Sequence, residues 1–162
     1  MTQEPIANQV ILVVFPLGED RTSLEDILGN STWQLRFTHT LAETQAALGT
    51  DRIAVVLSER RLSDGHCWKD VLDHLQDMPH PAPLIVADRL ADDALWAEVL
   101  NLGGYDVLAT PFHAKEVLHA VTAAWRYSVA HRDRAARHRR PSGSARIETS
   151  SGEKTRATFG AG

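Results

Sequence analysis

The sequence predicts an α/β protein built on one parallel sheet with helices on both faces. Two observations carry this. Five short strand candidates, at 10–15, 33–38, 53–57, 84–87 and 107–109, alternate with five segments of helical periodicity. Most of the strand candidates are continuously apolar, as strands buried on both faces are. Alternation of this kind builds a doubly wound sheet by crossover connections. The expected strand order is 2-1-3-4-5, the flavodoxin-like arrangement.

Val10 to Phe15 is apolar and stops at Pro16, which cannot continue a ladder. Gly18-Glu19-Asp20 reads as loop. Arg21 to Leu28 has Leu24, Ile27 and Leu28 on one helical face, and Gly29-Asn30 ends it. Trp33 to Thr38 alternates apolar and polar residues, which predicts a half-exposed edge strand. Leu41 to Leu48 is helical, with apolar positions at 41, 42, 46, 47 and 48. Ile53 to Leu57 is an apolar run of five with three β-branched residues, the centre of the sheet.

Cys67 to Gln76 puts Val71, Leu72 and Leu75 inward, and Pro79, Pro81 and Pro83 stiffen the connection that follows. Leu84 to Ala87 is a strand ending in Asp88. Asp92 to Leu102 is a helix stopped by Gly103-Gly104. Val107-Leu108-Ala109 is a short strand before Thr110-Pro111. Ala114 to about Ala130 is a long helix with Val117, Leu118, Val121, Ala124 and Trp125 on its inner face.

The central strand ends in Ser58-Glu59, followed by a loop closed at Asp64-Gly65. A carboxylate at the carboxyl tip of a buried parallel strand stands where open α/β folds place their sites. The stretch Ile53 to Gly65 resembles the third strand and following loop of the receiver domain of bacterial response regulators, whose pattern is an apolar strand, then Asp, x, x, Leu, Pro, Asp, Gly. Pro83-Leu84-Ile85-Val86 through Gly103, Asp106 and Thr110-Pro111-Phe112 is similar to that family's fourth strand, fourth helix, fifth strand and Lys-Pro-Phe turn. The resemblance spans about Val10 to Ala130.

The resemblance implies a pocket for phosphoryl transfer to an Asp, and this sequence departs from it at each chemical position. Glu59 stands at the phospho-accepting Asp. Phe15 and Pro16 stand at the two acids that help hold a divalent cation, and neither side chain can ligate a metal. Asp88 replaces the hydroxyl residue, Thr110 the lysine, and Val107 the aromatic switch. Glu19 and Asp20 lie nearby but later in the chain. Two carboxylates on adjacent strand tips, Glu59 and Asp88, need a partner, with Arg61, Arg89 or a cation as candidates, or one pKa rises.

Elsewhere the chemistry is thinner. The eight histidines form no i, i+4 pair of their own, and Cys67 has no CxxC companion, so no metal and no cofactor are expected. No phosphate-cradling glycine motif and no nucleophile–base set is found, so the chain reads as a non-enzyme. Trp96 and Trp125 on the fourth and fifth helices are candidate interface residues, and they raise a homodimer through those helices.

Composition bounds the setting. The chain has 162 residues, 43% hydrophobic and 23% charged, enough for one core plus an extra segment. A single cysteine fits a reducing compartment. No apolar run approaches the ~20 residues of a membrane span, and the opening MTQEPIANQ has no signal-peptide pattern. A cytoplasmic location follows as the expectation, with no membrane partner. Residues 131–162 hold eight Lys/Arg and three acids, a balance of +5; with a total of −4, residues 1–130 carry −9. The expected division is a receiver-like domain over 1–130 and a basic, mostly disordered tail over 131–162, with residues 136–140 extending the last helix by a turn or two.

The function expected is a phosphorylation-independent, receiver-like signalling module of the two-component or phosphorelay type. Its partner would be a histidine kinase, another regulator or a second copy. One alternative is a working phospho-acceptor rebuilt on Asp20 and Asp64 or on the Glu59/Asp88 pair. Others are a nucleic-acid-associated regulator using the basic tail, and a small-molecule binder at strand tips made apolar by Phe15, Pro16 and Val107.

Overall fold

The computed structural model describes residues 8–139. The five strands are β1 (Val10–Val14), β2 (Gln34–Thr38), β3 (Ile53–Glu59), β4 (Leu84–Asp88) and β5 (Asp106–Ala109). The five helices are α1 (Glu19–Gly29), α2 (Leu41–Thr50), α3 (Trp68–Gln76), α4 (Asp93–Leu102) and α5 (Ala114–Arg139). All strand pairs are parallel, in the order β2-β1-β3-β4-β5. The flavodoxin-like topology read from the sequence is the one observed.

Pleat alternation divides the core in two. Ile11 and Val13 of β1, Val55 and Leu57 of β3, and Ile85 and Ala87 of β4 meet α1 and α5 on one face. Leu12, Val14, Val56, Leu84 and Val86 meet α2, α3 and α4 on the other. Such strands carry apolar side chains on both sides and read as unbroken apolar runs. The edge strand β2 departs from simple alternation at its end. Thr38 is buried because its hydroxyl lies 2.9 Å from that of Thr44 on α2, which satisfies both groups.

Helix boundaries follow their caps. Thr40 accepts from Glu43 N–H at 3.2 Å and starts α2. Asp92 accepts from Leu95 N–H at 2.9 Å and starts α4. Gly103, in the left-handed region at φ 107°, ends α4, a conformation that suits glycine. α1 begins at Glu19, two residues before the predicted start, so Glu19 and Asp20 form its first turn. α5 continues to Arg139. By contacts the chain falls into two units, Met1–Val129 and Ala130–Gly162. The expectation of disorder over the rest of the tail lies outside the described residues.

Candidate functional site

The carboxyl ends of β1, β3 and β4 open into a cavity of about 310 Å³ lined by Phe15, Pro16, Gly18, Glu19, Asp20, Arg21, Glu59 and Arg89. The pleat explains which strand-tip residues it receives. Arg60 N–H still bonds Ala87 O at 3.2 Å, and Thr110 N–H bonds Asp88 O at 3.2 Å, so the ladders run past the last strand residues. Alternation along these extended ends sends Phe15, Glu59 and Arg89 to the cavity. It sends Arg60 and Asp88 the other way, where they pair at 3.2 Å.

That pairing corrects one expectation. The cation beside Asp88 is Arg60, not Arg61. Arg61 has the opposite pleat parity, and its backbone forms an isolated bridge with Cys67. Arg89, the other candidate, lies close enough to Glu59 to pull its pKa down. The pull is outweighed. Burial raises the Glu59 carboxyl above its ordinary 4.5, and the Asp20 and Asp88 charges push it further in that direction.

Phe15, at the first of the positions matching the metal acids, is 1% exposed and meets Phe112 edge-to-face at 6.0 Å. It is a core residue whose ring closes the floor of the cavity. Pro16 has no side-chain oxygen. Asp20 reaches the site, since the early start of α1 turns it toward Glu59. Asp64 does not line the cavity. It accepts from Leu41 N–H at 2.9 Å and His66 N–H at 3.2 Å, which holds the β3–α3 loop against the start of α2 and lowers its pKa. Among the described residues no group of three or more His, Cys, Asp and Glu is placed to hold a metal ion. The residues present do not fit the cation site that the resemblance implies.

Thr110 Oγ1 is buried without a hydrogen-bond partner among the described residues. Val107 is half-buried against the α2–α4 side of the core, paired in register with Val86. Trp125 is 4% exposed and packs edge-to-face on Trp33 at 6.0 Å, so it is core and not surface. Trp96 is 50% exposed on α4. Sequence reading missed Arg60 and Arg21, the latter stacked 4.4 Å over the Phe37 ring. It also missed Leu17 and Leu90, which stand 84% and 72% exposed in the loops that bound the cavity. A lone leucine in a loop gives no sequence signal; the parity of Arg60 with Asp88 was a usable one.

No family model and no curated protein matches the chain. Solved structures do. The chain is similar to the signal receiver domain of an HD domain-containing protein from Pseudomonas fluorescens, at TM-score 0.68 and 20% identity, covering 83% of this chain and 98% of that one. The fold is that of a response-regulator receiver domain. A two-component response regulator from Clostridium difficile matches at TM-score 0.64 and 19% identity, over 73% of this chain and 96% of that one. The receiver domain of a sensor histidine kinase from Pseudomonas aeruginosa matches at TM-score 0.65 and 19% identity, over 74% and 98%. That receiver holds magnesium in its active-site cleft. At these identities the likeness is one of fold. No described helix is long and apolar enough to cross a membrane.

Proposed function

We propose that this chain is a receiver-like module of two-component or phosphorelay signalling that works by binding a protein partner and not by accepting a phosphoryl group. The observation that carries the reading is the buried Phe15 where a metal-holding acid would be needed. Its ring is committed to Phe112 and the core, so the cavity cannot regain that ligand without unpacking. Three further features support it. Glu59 is half-buried and crowded by Asp20, which disfavours added negative charge. Asp88 stands at the position of the family's hydroxyl residue, and its carboxylate is turned away from the cavity to Arg60, so it offers a phosphoryl group no hydroxyl donor. Thr110 is uncharged and supplies no cation at the position of the family's lysine.

The partner would be a histidine kinase, a regulator or a second copy. The half-exposed Trp96 on α4 is the surface we assign to it. Hydrogen bonds from Lys69 to Glu98 at 3.2 Å and from Gln76 to Leu102 O at 2.8 Å tie α4, the helix that carries this tryptophan, to α3.

Acetyl phosphate with magnesium, read by intact mass, tests the first half. The expected result is an unchanged mass and no magnesium-dependent change in tryptophan fluorescence. A gain of one phosphoryl group mapped to Glu59 or Asp20 overturns it. Capture of partners by the full chain, compared with Trp96→Ala, tests the second half.

A further inference from the structure

α5 does not end where the apolar face of the chain ends. It runs to Arg139, and its last ten residues, in the second unit, read Ala-His-Arg-Asp-Arg-Ala-Ala-Arg-His-Arg. The only apolar side chains there are alanines at 130, 135 and 136. Such a segment has no i, i+3, i+4, i+7 anchors with which to lie in a protein groove. What it has is cationic charge. Arg134 and Arg137 are exposed and Arg132 is partly exposed, with Asp133 as the one acid.

Their arrangement is specific. At 3.6 residues per turn, Arg132 stands about 200° around the helix from Arg134 and about 140° from Arg137. The arginines therefore project from two opposite flanks. A flat acidic surface would engage one flank only. A groove walled by phosphates on both sides engages both. The major groove of B-form DNA is about 12 Å wide and admits a helix of this diameter, whereas the major groove of A-form RNA is too narrow. The acidic balance of −9 on residues 1–130 repels a polyanion from the rest of the chain, and Arg140, Arg146, Lys154 and Arg156 add like charge after the helix.

We propose that the carboxyl-terminal segment of α5 binds double-stranded DNA through its phosphates, with Arg132 on one wall of the major groove and Arg134 and Arg137 on the other. The contact is to the backbone and carries no sequence preference. It is independent of the strand-tip cavity and of the proposed partner surface.

The test is fluorescence anisotropy of the full chain on a 20-base-pair duplex of arbitrary sequence, over 50–200 mM salt. Three phosphate contacts contribute about −2.7 to the slope of log K against log salt, about a 40-fold loss over that range. The triple variant Arg132→Ala, Arg134→Ala, Arg137→Ala, with unchanged circular dichroism, is expected to bind at least tenfold more weakly and to lose that part of the slope. The matching triple lysine variant keeps both. Should the triple alanine variant lose helix, Arg134→Ala alone is expected to lower the slope by about 0.9. No binding at 50 mM salt, or arginine variants that leave affinity and slope unchanged, overturns the proposal. Equal affinity for a polyglutamate chain of matched charge overturns it in favour of an acidic protein partner.

Discussion

Arg60 Nη1 lies 3.2 Å from Asp88 Oδ2, joining the tips of β3 and β4 on the face of the sheet away from the cavity. The pair uses up the cation nearest Asp88 and leaves Glu59, one residue earlier and of opposite parity, facing Asp20 and Arg89. The two carboxylates that the sequence places on adjacent tips thus have separate environments. One is neutralised and the other is crowded.

Removing that cation should be felt at Glu59. Arg60→Ala leaves Asp88 uncompensated, so the Glu59 pKa rises further while stability falls by less than about 1 kcal/mol, because the pair is partly exposed. Carboxyl NMR titration and urea denaturation measure the two effects. An unmoved Glu59 titration would show that the tips do not sense each other.

Glu59 also sets a sign for pH dependence. Its folded pKa lies above the ordinary 4.5, so between those values the folded state holds more protons than the unfolded one. Stability contributed by this group therefore falls as pH rises through that window, and the penalty is complete above the folded pKa. Glu59→Gln should raise the melting temperature at pH 7 and leave it unchanged at pH 3. A lower melting temperature at pH 7 would mean the carboxylate is a net stabilising group.

Asp64 has the opposite sign. Its folded pKa lies below the ordinary 3.8, chiefly because it accepts from Leu41 N–H. Its contribution is present above that value and is lost as pH falls through the folded pKa. Asp64→Ala should lower the melting temperature at pH 7 and lose its effect at strongly acidic pH. Thermal scans of the two proteins across pH check this.

The two tryptophans separate core from surface. Trp125→Ala removes a 4%-exposed ring packed on Trp33 and should cost about 3–5 kcal/mol. Trp96→Ala should stay within about 0.5 kcal/mol of the parent while weakening partner capture. Equilibrium unfolding distinguishes them. A Trp96 variant as unstable as the Trp125 variant would place Trp96 in the core.

Thr110 offers a contrary test of the same packing logic. Its hydroxyl is buried without a hydrogen-bond partner among the described residues, and such a group costs about 1–3 kcal/mol. Thr110→Val keeps the shape and should raise stability by about 1 kcal/mol. A loss on substitution, read from the urea midpoint, would reveal a hydrogen bond at that hydroxyl.

What the sequence by itself determined is the sheet, its order and the identity of the strand-tip residues. Unbroken runs such as Ile53 to Leu57 have to be buried on both faces, and alternation with amphipathic helices leaves few topologies. The same reading placed Glu59, Asp88 and Thr110 at strand ends, because a polar step after an apolar run marks where a strand leaves the core. Only the tertiary structure decided which of them meet. Side-chain direction at a strand tip depends on how far the ladder continues, and Arg60 and Thr110 extend it beyond the apolar runs. That continuation puts Arg60 rather than Arg61 beside Asp88. Likewise, the early start of α1 brings Asp20 to Glu59, and the contact of Trp125 with Trp33 places its ring in the core. Local sequence does not encode these distances, because each is set by two segments far apart in the chain.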